Sequence, residues 1–145
     1  MQTIIVVIII GILGGIAVGF QGPLTSLMSQ HLGILESVFI VHVGGAIVAG
    51  APLLFLGGGH LADWRSVPWY ALGAGALGLI ILAAISYTIP RLGIAPTITL
   101  IVMGQLLIGT VSDHFGFLGA NIRPMDAPRL LGLVILLVGT WLVVR

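Results

Sequence analysis

Gln21, His42 and Gln105 each interrupt an otherwise apolar run of this sequence, and polar groups so placed are the first candidates for chemistry. An amide in such a run finds no water and needs a protein or ligand partner. His42 can also take up a proton near neutrality. Each of the three could instead close an interhelical hydrogen bond, worth about 0.6 kcal/mol. Glu36, the single glutamate, opens the second apolar run. There it answers the positive end of a helix dipole, or it marks the mouth of a proton or cation route. Asp113 and His114 are neighbours near the end of the fourth run, pointing about 100° apart if helical. The dipole disfavours an acid there, so Arg123 or Arg129 is expected to compensate Asp113. The pair either sets the following loop as an interfacial ion pair or serves gating or proton relay.

The excluded chemistry is equally informative. There is no cysteine, hence no disulfide, thiolate metal site or thiol redox chemistry. No nucleophile turn, HExxH or GxxxxGK[ST] motif occurs, and Gly57-Gly58-Gly59 lacks the strand–helix context of a phosphate loop. An enzyme is not expected, and neither a cofactor nor a metal is called for. The positive charges are five scattered arginines, which form no patch for nucleic acid.

The elements that must position these residues are membrane helices. Apolar residues make up 59% of the 145 and charged residues 6%, against roughly 25% charged in soluble domains. So few charges cannot build a water-facing surface, so the fold class is an all-α integral membrane protein in contact with lipid. Five spans are expected within a single transmembrane domain, residues 1–145: about 3–22 or longer, 36–56, 69–89, 95–114 and 129–144. Pro23 predicts a kink or turn in the first, and Pro90 a stop to the third. The N-terminus starts without positive charge and its apolar run exceeds a signal-peptide core, so it reads as the first span. Gly11, Gly15 and Gly19 recur every four residues, as do Ala71 with Gly75 and Ala74 with Gly78, a spacing that lets helices approach closely. Gly132 and Gly139 mark a possible contact face with a second copy. Trp64, Trp69, Tyr70, Tyr87 and Trp141 read as interface anchors, with Tyr87 also a candidate to stack on a solute.

Five crossings put Arg65, Arg123 and Arg129 on one side and Arg91 and Arg145 on the other. Orientation follows arginine excess, and three against two is close to balance. The chain is therefore expected to insert both ways and pair with itself, unless Arg145 or the N-terminal amine imposes one orientation.

GQLLIGTVSDHFGFLG followed by RPMDAPRLLGLVILLVGTWLVVR resembles the C-terminal half of the YdcZ-type family of bacterial inner-membrane proteins. IPRLGIAPT, ESVFIVHVGG and Gln21 before a short polar stretch extend the likeness over essentially the whole chain. That family is placed in the drug/metabolite transporter superfamily and is related to the small multidrug resistance proteins. The resemblance implies five-helix subunits paired in opposite orientations, as an antiparallel dimer around a central cavity, exporting or exchanging a small organic solute. The small multidrug resistance proteins carry a helix-one glutamate that binds proton and cationic drug. This chain has no acid in helix one and Thr25 where family members often show asparagine. Nothing in helix one therefore specifies a lipophilic-cation substrate.

The expected protein is a transporter subunit of the bacterial inner membrane acting as a homodimer. Gln21, Gln105, His42 and Tyr87 are its substrate-binding candidates, and Glu36, Asp113 and His114 its proton-coupling or gating candidates. Two alternatives stay open: a small dual-topology ion channel, and an accessory subunit of a heteromeric transporter.

Overall fold

In the computed structural model, which describes residues 2–145, five helices are long and apolar enough to cross a membrane. The uncharged start at Met1 lies outside the described residues. The chain divides into two compact units after Pro90.

In the first unit, α1 (Gln2–Leu32) continues through Pro23. A proline there withdraws one N–H, leaving the Gly19 carbonyl as the group without its usual partner. Helix α1 stops where Gly33 takes φ 105° and ψ 158°, a conformation essentially reserved for glycine. A single residue thus separates it from α2 (Ile34–Phe55). Gly57, Gly58 and Gly59 all have positive φ, and the Gly58 N–H donates to the Leu53 carbonyl at 2.7 Å, closing the end of α2. A 3-10 turn (Leu61–Ser66) carries an exposed His60–Asp63 pair at 3.5 Å. Beyond Pro68, one turn, α3 (Trp69–Leu72), leads across Gly73 into α4 (Ala74–Leu92). Pro90 lies inside α4, because a proline in a last turn forfeits only one hydrogen bond.

The buried centre of this unit is small and hydroxyl-rich: Thr25 and Ser26 of α1, Ser37 and Val38 of α2, and Leu82, Ile85 and Ser86 of α4. Gly22 permits it, since a Cβ there would stand 3.2 Å from the Ile85 Cγ2. Gly78 does the same for His42, whose Nε2 would be 2.8 Å from an added Cβ. The expected smooth face of Gly11, Gly15 and Gly19 instead opens onto empty space. The described side chains of α1 before Gly19 are all exposed, and of its glycines Gly22 is the one in close approach to another helix.

In the second unit, Gly93 (φ 91°, ψ 172°) starts α5 (Ile94–Phe115), which ends at Gly116 in the left-handed region. A second 3-10 turn, Phe117–Gly119, follows. The loop is tied back to α5 twice. The Arg123 N–H donates to the Asp113 carbonyl at 2.7 Å, and the Met125 N–H donates to His114 Nδ1 at 2.9 Å. Asp126 then caps α6 (Ala127–Val144), accepting from the Arg129 N–H at 2.9 Å, and α6 packs along α5. Arg145 lies over the Trp141 ring at 4.3 Å, a cation–π contact at the helix end.

The two glycine turns belong to a repeat. Leu32-Gly33-Ile34 recurs sixty positions on as Leu92-Gly93-Ile94, flanked by Ser26 and Ser86, Ser37 and Thr97, and Gly44 and Gly104. Local structure repeats with it. Both glycines have positive φ, both carbonyls accept the N–H four residues on, and the hydroxyl residue at that place is buried both times.

Candidate functional site

Two of the first-unit candidates, Glu36 and His42, meet at one cavity. Between α2 and α4 lies an open pocket of about 690 Å³ lined by Leu35, Glu36, Val38, Phe39, Ile40, His42, Gly75, Ala76 and Leu79. Its size falls within the range of small-molecule sites. Glu36 and His42 are its only ionisable lining residues.

Helix geometry fixes what each presents. Glu36 sits in the first turn of α2, with its carboxylate folded back over Gly33, where an added Cβ would collide with it. The Gly33 turn thus makes room for the acid. His42 Nδ1 lies 2.8 Å from the Val38 carbonyl, which can only accept, so Nδ1 carries the hydrogen. In the neutral ring Nε2 is then an acceptor, and it lies against Gly78. Neither Gly33 nor Gly78 lines the pocket, so the carboxylate and Nε2 face those glycines and the wall of the cavity is almost wholly apolar.

The remaining candidates stand elsewhere. Gln21 is exposed on α1, its backbone carbonyl accepting from the Thr25 hydroxyl at 2.8 Å. Tyr87 is exposed on α4, and neither residue lines the Glu36–His42 pocket. Gln105 lies mid-way along α5, also exposed. Neither glutamine amide has a hydrogen-bonding partner among the described residues.

Asp113 and Arg129 line a second cavity of about 390 Å³ between α5 and α6, with Leu106, Thr110, Gly132, Leu133 and Leu136. The ion pair expected to compensate the Asp113 carboxylate is not what the two arginines make. No ion pair joins it to Arg123 or Arg129 among the described residues. Arg129 Nη1 instead donates to the Arg123 carbonyl at 3.0 Å, and Arg123 holds Asp113 through backbone atoms. Loop closure uses the Arg123 backbone and the Arg129 guanidinium, a pairing that sequence spacing does not reveal. His114 accepts through Nδ1, so its Nε2 carries the hydrogen in the neutral ring.

Reading the sequence singly missed the apolar wall of the first pocket, Leu35, Phe39 and Leu79. Such residues are indistinguishable from lipid-facing ones until α4 is placed against α2. A legible signal did exist: against the sixty-residue repeat, Glu36 falls opposite Pro96 and His42 opposite Val102.

Five apolar spans with isolated polar side chains define a multi-pass membrane protein. A comparison with protein families matches residues 6–142 to the one described as "Putative inner membrane exporter, YdcZ", and the chain belongs to that family. It is therefore an inner-membrane protein, as the GQLLIGTVSDHFGFLG signature led one to expect. Over 80 residues it is 36% identical to the Inner membrane protein YdcZ of Escherichia coli (strain K12), covering 55% of this chain and 53% of that protein. The matched region thus spans about half the length of this relative. No solved structure matches.

Proposed function

We propose that the chain is one transmembrane domain, a subunit of a secondary transporter that exports or exchanges a small organic solute. It works as a dual-topology antiparallel homodimer and not as an enzyme. The observation that carries this reading is the exposure of Gln21, His42 and Gln105 on helices otherwise apolar. Facing lipid, two unpartnered amides would each forfeit hydrogen bonds at a cost of a few kcal/mol. A second copy or a water-filled cavity relieves that cost. The open space along Gly11, Gly15 and Gly19 leaves α1 a smooth face on which another helix can lie. Near-balanced arginines allow that copy to insert inverted, and inverted pairing supplies two equivalent states that open to opposite sides.

In this reading Gln21, Gln105, His42 and Tyr87 contact the solute, while Glu36, Asp113 and His114 serve coupling or gating. The test is a C-terminal reporter scored on both membrane faces in the same cells. Signal on both faces is expected. Signal on one face alone overturns the self-paired antiparallel arrangement and favours an oppositely oriented partner or a parallel channel-like assembly.

A further inference from the structure

The cavity between α5 and α6 is built differently from the apolar one in the first unit. Leu106, Thr110 and Asp113 line it from α5 and Arg129, Leu133 and Leu136 from α6. Each set follows the spacing i, i+4, i+7, so each is one helix face, and the two faces look at each other across the cavity. Asp113 stands in the last turn of α5 and Arg129 in the first turn of α6, where two membrane spans meet their loop. Leu106 and Leu136 lie seven residues farther into their spans, two helical turns or about 10 Å away. The cavity is thus charged at its mouth and apolar at depth.

The two charges share that mouth without touching. Both residues are half-buried, yet no ion pair joins them among the described residues. Arg129 Nη1 is held by the Arg123 carbonyl at 3.0 Å, and Arg123 is fixed to the end of α5 through the Asp113 carbonyl at 2.7 Å. The guanidinium is therefore kept close to the last turn of α5, with its other N–H groups unspent among the described residues. The Asp113 carboxylate accepts no hydrogen bond among them either, while the Thr110 hydroxyl is used up on the Leu106 carbonyl at 2.7 Å. What stays open is one anion and one multiple donor on facing helices. A simple cation would meet the guanidinium there, and a simple anion the carboxylate, each beside a like charge. The complement carries both signs on a head and an apolar tail that follows the leucines inward. Gly132 leaves room for it, since an added Cβ would meet nothing within 4 Å.

We propose that the α5–α6 cavity holds a phospholipid with a zwitterionic head group, its phosphate on Arg129, its ammonium on Asp113 and one acyl chain along Leu106, Leu133 and Leu136. Arginine suits the phosphate because its planar fork donates two N–H groups at once. Asp113 sets the choice among lipids, since it repels a head group that is negative overall. The bound lipid supplies the charge balance that the two side chains do not reach with each other, and it ties the end of α5 to the start of α6. The inference needs only that the chain resides in a membrane, and it stands apart from the transporter reading.

The test is native mass spectrometry of the full chain in detergent, titrated with dioleoyl phosphatidylethanolamine or dioleoyl phosphatidylglycerol, which share their acyl chains. The zwitterionic lipid is expected to bind at least fivefold more tightly than the anionic one. Soluble glycerophosphoethanolamine, a head group without tails, is expected not to displace it. Asp113→Asn removes the preference between the two lipids, and Arg129→Gln weakens both at least fivefold. Gly132→Leu fills the cavity and lowers binding of the zwitterionic lipid while both charges remain. Circular dichroism and gel filtration check that each variant is folded, and the backbone bonds of Asp113 and Arg129 are kept in theirs. Equal or tighter binding of the anionic lipid, an unchanged preference in Asp113→Asn, or undiminished binding in Gly132→Leu overturns the proposal. So does displacement by the soluble head group, which would make the site one for a water-borne zwitterion. Lipid binding is read without translocation, so a failure of the transporter reading leaves these outcomes untouched.

Discussion

The turns at Gly33 and Gly93 are two copies of one local solution placed in different chemical surroundings. Each glycine lets one helix end and the next begin within a single residue, and each is followed four positions on by a buried hydroxyl residue. Yet the space a side chain would enter differs. At Gly33 an added Cβ meets the Glu36 carboxylate, whereas at Gly93 the nearest neighbour is the Pro96 ring at 3.8 Å. The backbone device is thus common property, and the functional candidates lie where the copies depart from it. Gln105 fits the same pattern from the other side, since it occupies the second copy where the first has Gly45.

The strongest way to break this comparison is to remove a departure and find nothing lost. Gln105→Ala and Gln21→Ala are expected to abolish solute transport in proteoliposomes while cross-linking still reports the dimer. Wild-type rates in both would remove them from the site. His42→Val, which restores the residue of the repeat, is expected to cut transport at least tenfold and to change unfolding stability by no more than about 1 kcal/mol, the scale of one hydrogen bond. A collapse of the fold would mean that His42 is structural.

The glycines themselves sharpen the comparison. Gly93→Ala should cost about 1–3 kcal/mol from backbone strain alone. Gly33→Ala should cost slightly more, because the new methyl also pushes aside the Glu36 carboxylate, the mobile end of an exposed side chain. In a Glu36→Ala background the excess at Gly33 should vanish while the cost at Gly93 is unchanged, as a denaturant series on the double variants would show. The smallest expected effect lies away from both turns. Asp126→Ala removes the cap on α6 and should cost about 1 kcal/mol, visible as a lowered melting midpoint with transport retained.

Membrane residence, five spans and the family follow from the residues themselves, because the hydrocarbon core demands long apolar helices whatever their neighbours. The helix starts after Gly33 and Gly93 were legible to within a few residues, whereas α1 runs to Leu32, well beyond the expected end at about 22 that was left open to extension. Pro90 misled, since a proline in a last turn forfeits one hydrogen bond and the helix retains the rest, while the continuation past Pro23 had been left open. The polar candidates could be picked out singly, because a charge or amide in an apolar run is conspicuous. Which of them share a cavity could not. Glu36 and His42 are six residues apart and come to line one pocket only because α4 presents Gly75, Ala76 and Leu79 opposite them, with Gly78 small enough to admit the imidazole. The regular glycines Gly11, Gly15 and Gly19 promised close approach, whereas the unremarked Gly22 provides it, against Ile85. Composition and periodicity are properties of one helix, and they determined that this chain is a bundle of membrane helices. The partner of each face depends on how separate helices meet, and only the tertiary structure decided that.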